Sequence, residues 1–99
     1  MIDEMIRSFA DRQTEVVFSG GQTRRLSEHL CRAARRRMLF LDAGERLSDL
    51  WIPPGNRLEK LRGDRAGQHS VRVNDQWRIC FRWHRGDAHA VEIVDYHRG

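Results

Sequence analysis

Residues 69–83 read His69-Ser70-Val71-Arg72-Val73-Asn74-Asp75-Gln76-Trp77-Arg78-Ile79-Cys80-Phe81-Arg82-Trp83. Apolar and polar side chains alternate at a spacing of two on both sides of Asn74-Asp75-Gln76, the mark of two strands that each bury one face. His69, Val71 and Val73 share one face of the first strand, with Ser70 and Arg72 on the other. Trp77, Ile79, Phe81 and Trp83 form the apolar face of the second, with Arg78, Cys80 and Arg82 opposite. Cross-strand partners must share a face, and this constrains the turn. A two-residue turn at Asn74-Asp75 would set Val71 against Arg78. A three-residue loop, Asn74-Asp75-Gln76, sets Val73 against Trp77 and Val71 against Ile79, so the longer loop is predicted. The same register puts Arg72 directly across from Arg78. Two facing guanidinium groups repel, and such a pair is tolerable on a face that meets an anion.

Downstream, Gly86-Asp87 turns the chain, and Ala90-Val91-Glu92-Ile93-Val94 reads as the last strand, delivering Asp95-Tyr96-His97 to its end. Upstream, Pro53-Pro54-Gly55 forbids regular helix. It closes a connector over 45–56 in which Leu47, Leu50 and Trp51 are expected to fold back onto the core. A helix is predicted from Ser27, which can cap it, with Glu28 at the positive end of the dipole. Leu30, Ala33, Ala34, Met38 and Leu41 form its apolar stripe, Arg35, Arg36 and Arg37 lie toward its C-terminal end, and Asp42-Ala43-Gly44 ends it. Residues 10–18 fit a short helix stopped by Gly20-Gly21, and 5–9 a short first strand. The expected fold is one α+β domain over residues 1–99. N-terminal helices pack on one face of a largely antiparallel sheet of about four strands, and the other face is basic.

Charge points to the partner. The chain of 99 residues carries a formal net charge of +4, and Lys60 is the one lysine among its 18 basic residues. A coding bias toward arginine would spread it evenly. Residues 57–82 instead hold seven basic side chains (Arg57, Lys60, Arg62, Arg65, Arg72, Arg78, Arg82) against three acidic ones (Glu59, Asp64, Asp75). Guanidinium forks suit bidentate contact with phosphate, so a polyanionic partner is expected. Cys31 and Cys80 lack metal-type spacing and read as reduced, partly buried thiols. Asp3 and Glu4 stand where a secretory leader carries basic charge, and no stretch approaches a membrane span. The reading is a cytoplasmic protein with no cofactor motif, no metal ligand set and no membrane partner.

Three segments together, Arg57-Leu58-Glu59-Lys60-Leu61-Arg62-Gly63-Asp64-Arg65, Val73-Asn74-Asp75-Gln76-Trp77-Arg78-Ile79-Cys80-Phe81 and Val91-Glu92-Ile93-Val94-Asp95-Tyr96-His97, closely resemble HigB-type toxins of the RelE/ParE toxin–antitoxin superfamily. The resemblance implies a RelE-like fold and a ribosome-dependent, metal-independent mRNA endonuclease that inhibits translation. It implies a helix-turn-helix, HigA-like antitoxin as partner, with operator DNA reached only through that antitoxin, and the 70S ribosome and its mRNA as targets. Arg62, Arg78, Asp95, Tyr96 and His97 match positions at the family's active site. Glu59 stands where several members carry histidine, and Arg62 where lysine is common.

The same residues fit the chemistry. In RNA cleavage the 2′-hydroxyl attacks the adjacent phosphate, so a base must take its proton, donors must offset charge on the phosphorane-like state, and an acid must protonate the 5′-oxygen. Glu59 or Asp95 could be the base. His97, titrating near neutrality, could be acid or base. Tyr96 could donate a hydrogen bond or stack on a nucleobase. The preferred set is Glu59 as base, His97 as acid and Arg78 as clamp, with Arg62 a second clamp. Arg57, Lys60, Arg65, Arg72 and Arg82 are the expected RNA- and ribosome-binding residues. Two other functions use the same scaffold: a ParE-like inhibitor of DNA gyrase, and a non-catalytic RNA- or ribosome-binding module.

Overall fold

The computed structural model describes residues 5–43 and 57–96. The expected connector over 45–56 therefore lies outside the described residues, as does His97. The order of elements is α1 (Arg12–Phe18), α2 (Glu28–Ala43), β1 (Glu59–Lys60), a single 3-10 turn (Gly63–Arg65), β2 (Gln68–Arg72), β3 (Trp77–His84) and β4 (Asp87–Asp95). The strands form an antiparallel sheet in the order β1-β2-β3-β4, with both helices against one face. The α+β arrangement is the expected one.

The β2–β3 hairpin follows the alternation of its residues. Val71 pairs with Ile79 and Arg72 with Arg78. The Val73 N–H donates to the Trp77 carbonyl (2.9 Å), which leaves Asn74-Asp75-Gln76 as the loop. Asn74 holds that loop from within: its side-chain oxygen accepts from the N–H groups of Gln76 and Trp77, both at 2.8 Å. The β3–β4 turn is tighter. His84 pairs with Asp87, and Arg85 and Gly86 between them both have positive φ (51° and 81°), the pattern of the turn that matches strand twist.

Two expectations change at β4. The strand begins at Asp87 rather than Ala90, because Asp87, Ala88 and His89 already pair with His84, Trp83 and Arg82 across the tight turn, and it bulges at Ala90. Cys80 pairs with Glu92 but Arg82 with His89, so β4 carries one extra residue there, and Ala90 takes a φ of 53°. Residues 5–9 do not form a strand. They run parallel to the β4 edge and bridge it at Ile6–Ala88 and Phe9–Val91, on either side of the bulge. The Ser8 hydroxyl accepts the Ala90 N–H at 2.9 Å, filling the gap the bulge leaves. The bulge is the physical reason that a regular ladder fails, while the segment still covers an edge that would otherwise be open.

Both helices start on side-chain caps. Asp11 accepts from the Thr14 N–H at 2.7 Å and Ser27 from the Leu30 N–H at 3.0 Å; each such cap stabilises by about 1 kcal/mol. In α2, Leu30, Cys31, Ala34, Met38 and Leu41 are buried, whereas Ala33 of the expected stripe is only half-buried. Arg35, Arg36 and Arg37 fall in mid-helix, since α2 runs on to Ala43 and its last turn holds no basic residue. Arg35 Nε instead donates to the Phe18 carbonyl at the end of α1 (3.0 Å). The core lies between α1, α2 and the face of the sheet that carries Val71, Ile79, Phe81 and Ile93. Cys31 and Cys80 are free and buried. No helix among the described residues is long and apolar enough to cross a membrane.

Candidate functional site

Covering one face of the sheet with helices leaves the other open, and strand parity decides what it displays. Glu59 pairs with Ser70, Ser70 with Cys80, and Cys80 with Glu92, so these four share the open face. Arg72, Arg78 and Arg82 lie on it too.

Arg78 is the hub. Its Nη2 lies 2.9 Å from Glu59 Oε1, and its Nη1 donates to Ser70 Oγ (3.1 Å) and to the Arg57 carbonyl (3.4 Å). Its Cζ stands 5.2 Å from the centre of the Tyr96 ring, a cation–π contact. Four neighbours from different parts of the chain thus fix one guanidinium, whose side chain remains 14% exposed. The Tyr96 N–H donates to the Gln76 carbonyl at 2.6 Å, which anchors the end of β4 to the β2–β3 loop. Its hydroxyl lies 4.0 Å from Cys80 Sγ. Burial pushes the Tyr96 phenol up, with Cys80 adding to the rise, while a hydrogen bond with Ser70 and the Arg78 charge oppose it. Burial also pushes the Cys80 thiol up. Both groups hold their protons at neutral pH.

The remaining expected site residues divide. Asp95 pairs with Trp77, so it faces the opposite side of the sheet from Arg78, and its carboxylate accepts from Gln76 Nε2 at 3.2 Å. Arg62 precedes the 3-10 turn and is exposed. His97 lies outside the described residues. Among the expected binding residues, Arg57 is exposed with a left-handed backbone (φ 44°), next to the clamp it caps. Arg65 is held by Glu92 (3.2 Å) and Gln68 (3.0 Å), and Arg72 by Asp75. Those two carboxylate pairings relieve the crowding of cations that facing Arg72 and Arg78 would otherwise create, together with Glu59 on Arg78 itself. Arg82 is exposed, its guanidinium folded over Gly67, where an added Cβ would come within 2.9 Å of it. Lys60 pairs with His69 and falls on the other side of the sheet.

Three members of this face carried no assigned role in the sequence reading: Ser70, Cys80 and Glu92. Ser70 and Cys80 sit beneath the Arg78–Tyr96 pair, and Glu92 neutralises Arg65. The signal for the first two was present in the alternation, which already set them on the face of Arg72 and Arg78.

Comparisons with known proteins bear on the family. The family model described as the RelE-like toxin of type II toxin–antitoxin system HigB matches residues 7–97. Toxin HigB-1 of Vibrio cholerae is 40% identical over 85 residues, 85% of this chain and 90% of that protein. Endoribonuclease HigB of Proteus vulgaris is 31% identical over 97 residues, 94% of this chain and 100% of that protein. An uncharacterised protein of Haemophilus influenzae is 27% identical over 69 residues, 70% of this chain and 68% of its own length. A match that takes in both helices, the whole sheet and the Arg78 face leaves one conclusion: this chain belongs to the HigB-like family, the RelE-like toxins of type II toxin–antitoxin systems, which work against an antitoxin partner.

Proposed function

We propose that the protein is an endoribonuclease that cuts mRNA on the ribosome and thereby stops translation, with residues 1–99 acting as one unit. The observation that carries this reading is the Arg78 guanidinium, fixed between Glu59, Ser70 and the Tyr96 ring on an open sheet face. Preorganised donors aimed at developing charge are the largest single contribution in many such reactions. The Proteus relative named as an endoribonuclease supports the same reaction class.

In this reading the scissile phosphate docks on Arg78. Glu59, released from the guanidinium, takes the 2′-hydroxyl proton. His97 protonates the leaving 5′-oxygen, and Tyr96 donates to the phosphate or stacks on a base. Arg57, Arg62, Arg65, Arg72 and Arg82 hold the RNA backbone and the 70S ribosome. Asp95, on the far side from Arg78, serves to hold the β2–β3 loop through Gln76 rather than to take a proton. Lys60, on the same far side, contacts the ribosome outside the cleavage site. Messenger and ribosome supply much of the positioning, which allows a small site with few groups to act. The partner is a HigA-like helix-turn-helix antitoxin, through which the pair reaches operator DNA, and the action takes place in the cytoplasm.

The test is cleavage of a defined message by the purified protein, on programmed ribosomes and free in solution, read by primer extension. Cuts on the ribosome-bound message and few or none on free RNA are expected. Intact message in both, with loss of gyrase supercoiling activity in a parallel assay, would put the protein with the gyrase inhibitors. Intact message with tight ribosome binding would leave a binding module.

A further inference from the structure

We infer that Glu92 is a positioning residue of this site: its carboxylate on β4 holds Arg65, and through Arg65 pins the turn that follows β1, so that Glu59 and Arg62 keep their places. The inference rests on the ribonuclease reading above.

β1 needs such a tie. It is two residues long and pairs with β2 at Glu59–Ser70 and Lys60–His69. Upstream it is anchored by Leu58, which is buried. Downstream, none of residues 59–67 is buried, so apolar packing does little to fix that end. The Leu61 N–H donates to the Gln68 carbonyl at 2.8 Å, and the chain then enters the 3-10 turn. Within the turn the Arg65 N–H donates to the Arg62 carbonyl at 3.3 Å and the Ala66 N–H to the Gly63 carbonyl at 3.0 Å. Gly63 and Gly67, at its two ends, have φ of 64° and 90°, a region glycine enters freely and that leaves the segment little order of its own.

Side chains supply the order. Arg65 Nη1 donates to Gln68 Oε1 at 3.0 Å and to Glu92 Oε1 at 3.2 Å. Gln68 is close in sequence, whereas Glu92 is 27 residues away on β4, two strands beyond β2. Glu92 also stands on the cross-strand row of Glu59, through Cys80 and Ser70. The contact therefore closes a ring, from β1 across the sheet to β4 and from β4 back to the turn after β1. Both side chains are 33% exposed, where solvent screens their charges, so the tie works through the placement of the acceptor more than through its charge.

One readout needs no RNA cleavage. Trypsin cuts after arginine, and Arg62 is exposed just ahead of the 3-10 turn. Nicking of the full-length native protein after Arg62, resolved by mass spectrometry, follows opening of the turn. Glu92→Ala is expected to raise that rate on the order of tenfold, and Glu92→Gln, which keeps an acceptor, to leave it near the wild-type rate. On programmed ribosomes Glu92→Ala should lose on the order of 10²-fold in kcat by misplacing Glu59 and Arg62, with KM no higher, since it frees a cation. Glu92→Gln should recover most of that loss. Arg65→Ala, in a turn with no buried residue, cuts the same tie should Glu92→Ala not fold. The double variant should lose no more than the worse single one, because both changes sever one connection. An unchanged nicking rate in Glu92→Ala, a glutamine variant as poor as the alanine variant, or multiplied losses in the double variant overturns the proposal while leaving the nuclease standing. A wild-type protein that cleaves nothing removes the nuclease reading itself, and this role with it.

Discussion

Arg78 on β3 and Glu59 on β1 meet at 2.9 Å across the intervening strand β2. The arginine is the more buried partner, 14% exposed against 51% for the glutamate. In the free protein the carboxylate thus occupies one side of the guanidinium. In the proposed reaction an incoming phosphate displaces it, and the displaced carboxylate then stands beside the 2′-hydroxyl. Binding and chemistry should respond to Glu59 in opposite directions. Glu59→Ala is expected to leave RNA affinity unchanged or a few-fold tighter, since it removes a competing anion, while cleavage falls by about 10²–10⁴-fold through loss of the base. Adding His97→Ala should keep affinity and lower cleavage further. Parallel binding and single-turnover measurements decide this; undiminished cleavage in the double variant would reject both role assignments.

The arginines of the open face should not be equal in their salt response. Arg65 is neutralised by Glu92 and Arg72 by Asp75, while Arg62 and Arg82 are exposed and have no carboxylate partner among the described residues. A side chain that already holds a carboxylate releases fewer counterions on binding RNA. Arg62→Ala and Arg82→Ala are each expected to reduce the slope of log affinity against log salt by about 0.7, the value for one phosphate contact on a single strand. Arg65→Ala and Arg72→Ala should reduce it by less. Equal reductions from all four would mean that the ion pairs dissolve in the complex.

What could be read from the sequence, and what could not, separates along physical lines. Alternation leaves one register for β2 and β3, so the loop at 74–76 and the facing Arg72 and Arg78 were legible residue by residue. The bulge at Ala90 was not, because an alanine gives no sign of a positive φ. The early start of β4 comes from its pairing with β3 across the tight turn, and the bridges of residues 5–9 flank the bulge. Asp95 was expected at the site from the family resemblance; neighbours in an extended chain face opposite ways, and its register with Trp77 sets it on the other face from Arg78. Lys60, paired with His69, falls on that other face as well. Ser70 meets Arg78 as a diagonal neighbour on the adjacent strand. No local pattern encodes that.

His69 makes stability sensitive to mild acid. Its ring stacks on Phe81 with centres 6.1 Å apart, its Nδ1 is buried without a partner among the described residues, and burial, with Lys60 adding to it, lowers its pKa from 6.5. The unfolded chain therefore takes up the proton first as pH falls. Stability is fully present above about pH 6.5, declines as the pH drops through that value, and levels off once the folded form is protonated as well. Thermal midpoints from pH 8 to 5 should fall more steeply for the wild type than for His69→Gln. Parallel curves would show that the ring charges without cost.

Thr14 offers a test of how the helical layer holds the strand that carries Tyr96. It is fully buried in α1, and its hydroxyl accepts the Ile93 N–H of β4 at 3.1 Å. Thr14→Val keeps the shape but strips the acceptor, leaving a buried backbone donor unpaired, which costs about 1–3 kcal/mol. Thr14→Ser keeps the acceptor and loses only a methyl group, about 1 kcal/mol. The valine variant should therefore unfold at lower denaturant than the serine variant with an unchanged m-value. Amide exchange should report the same loss locally, as faster exchange at Ile93 in Thr14→Val than in Thr14→Ser. Equal exchange in the two variants would mean that packing alone, without this hydrogen bond, fixes β4 against α1.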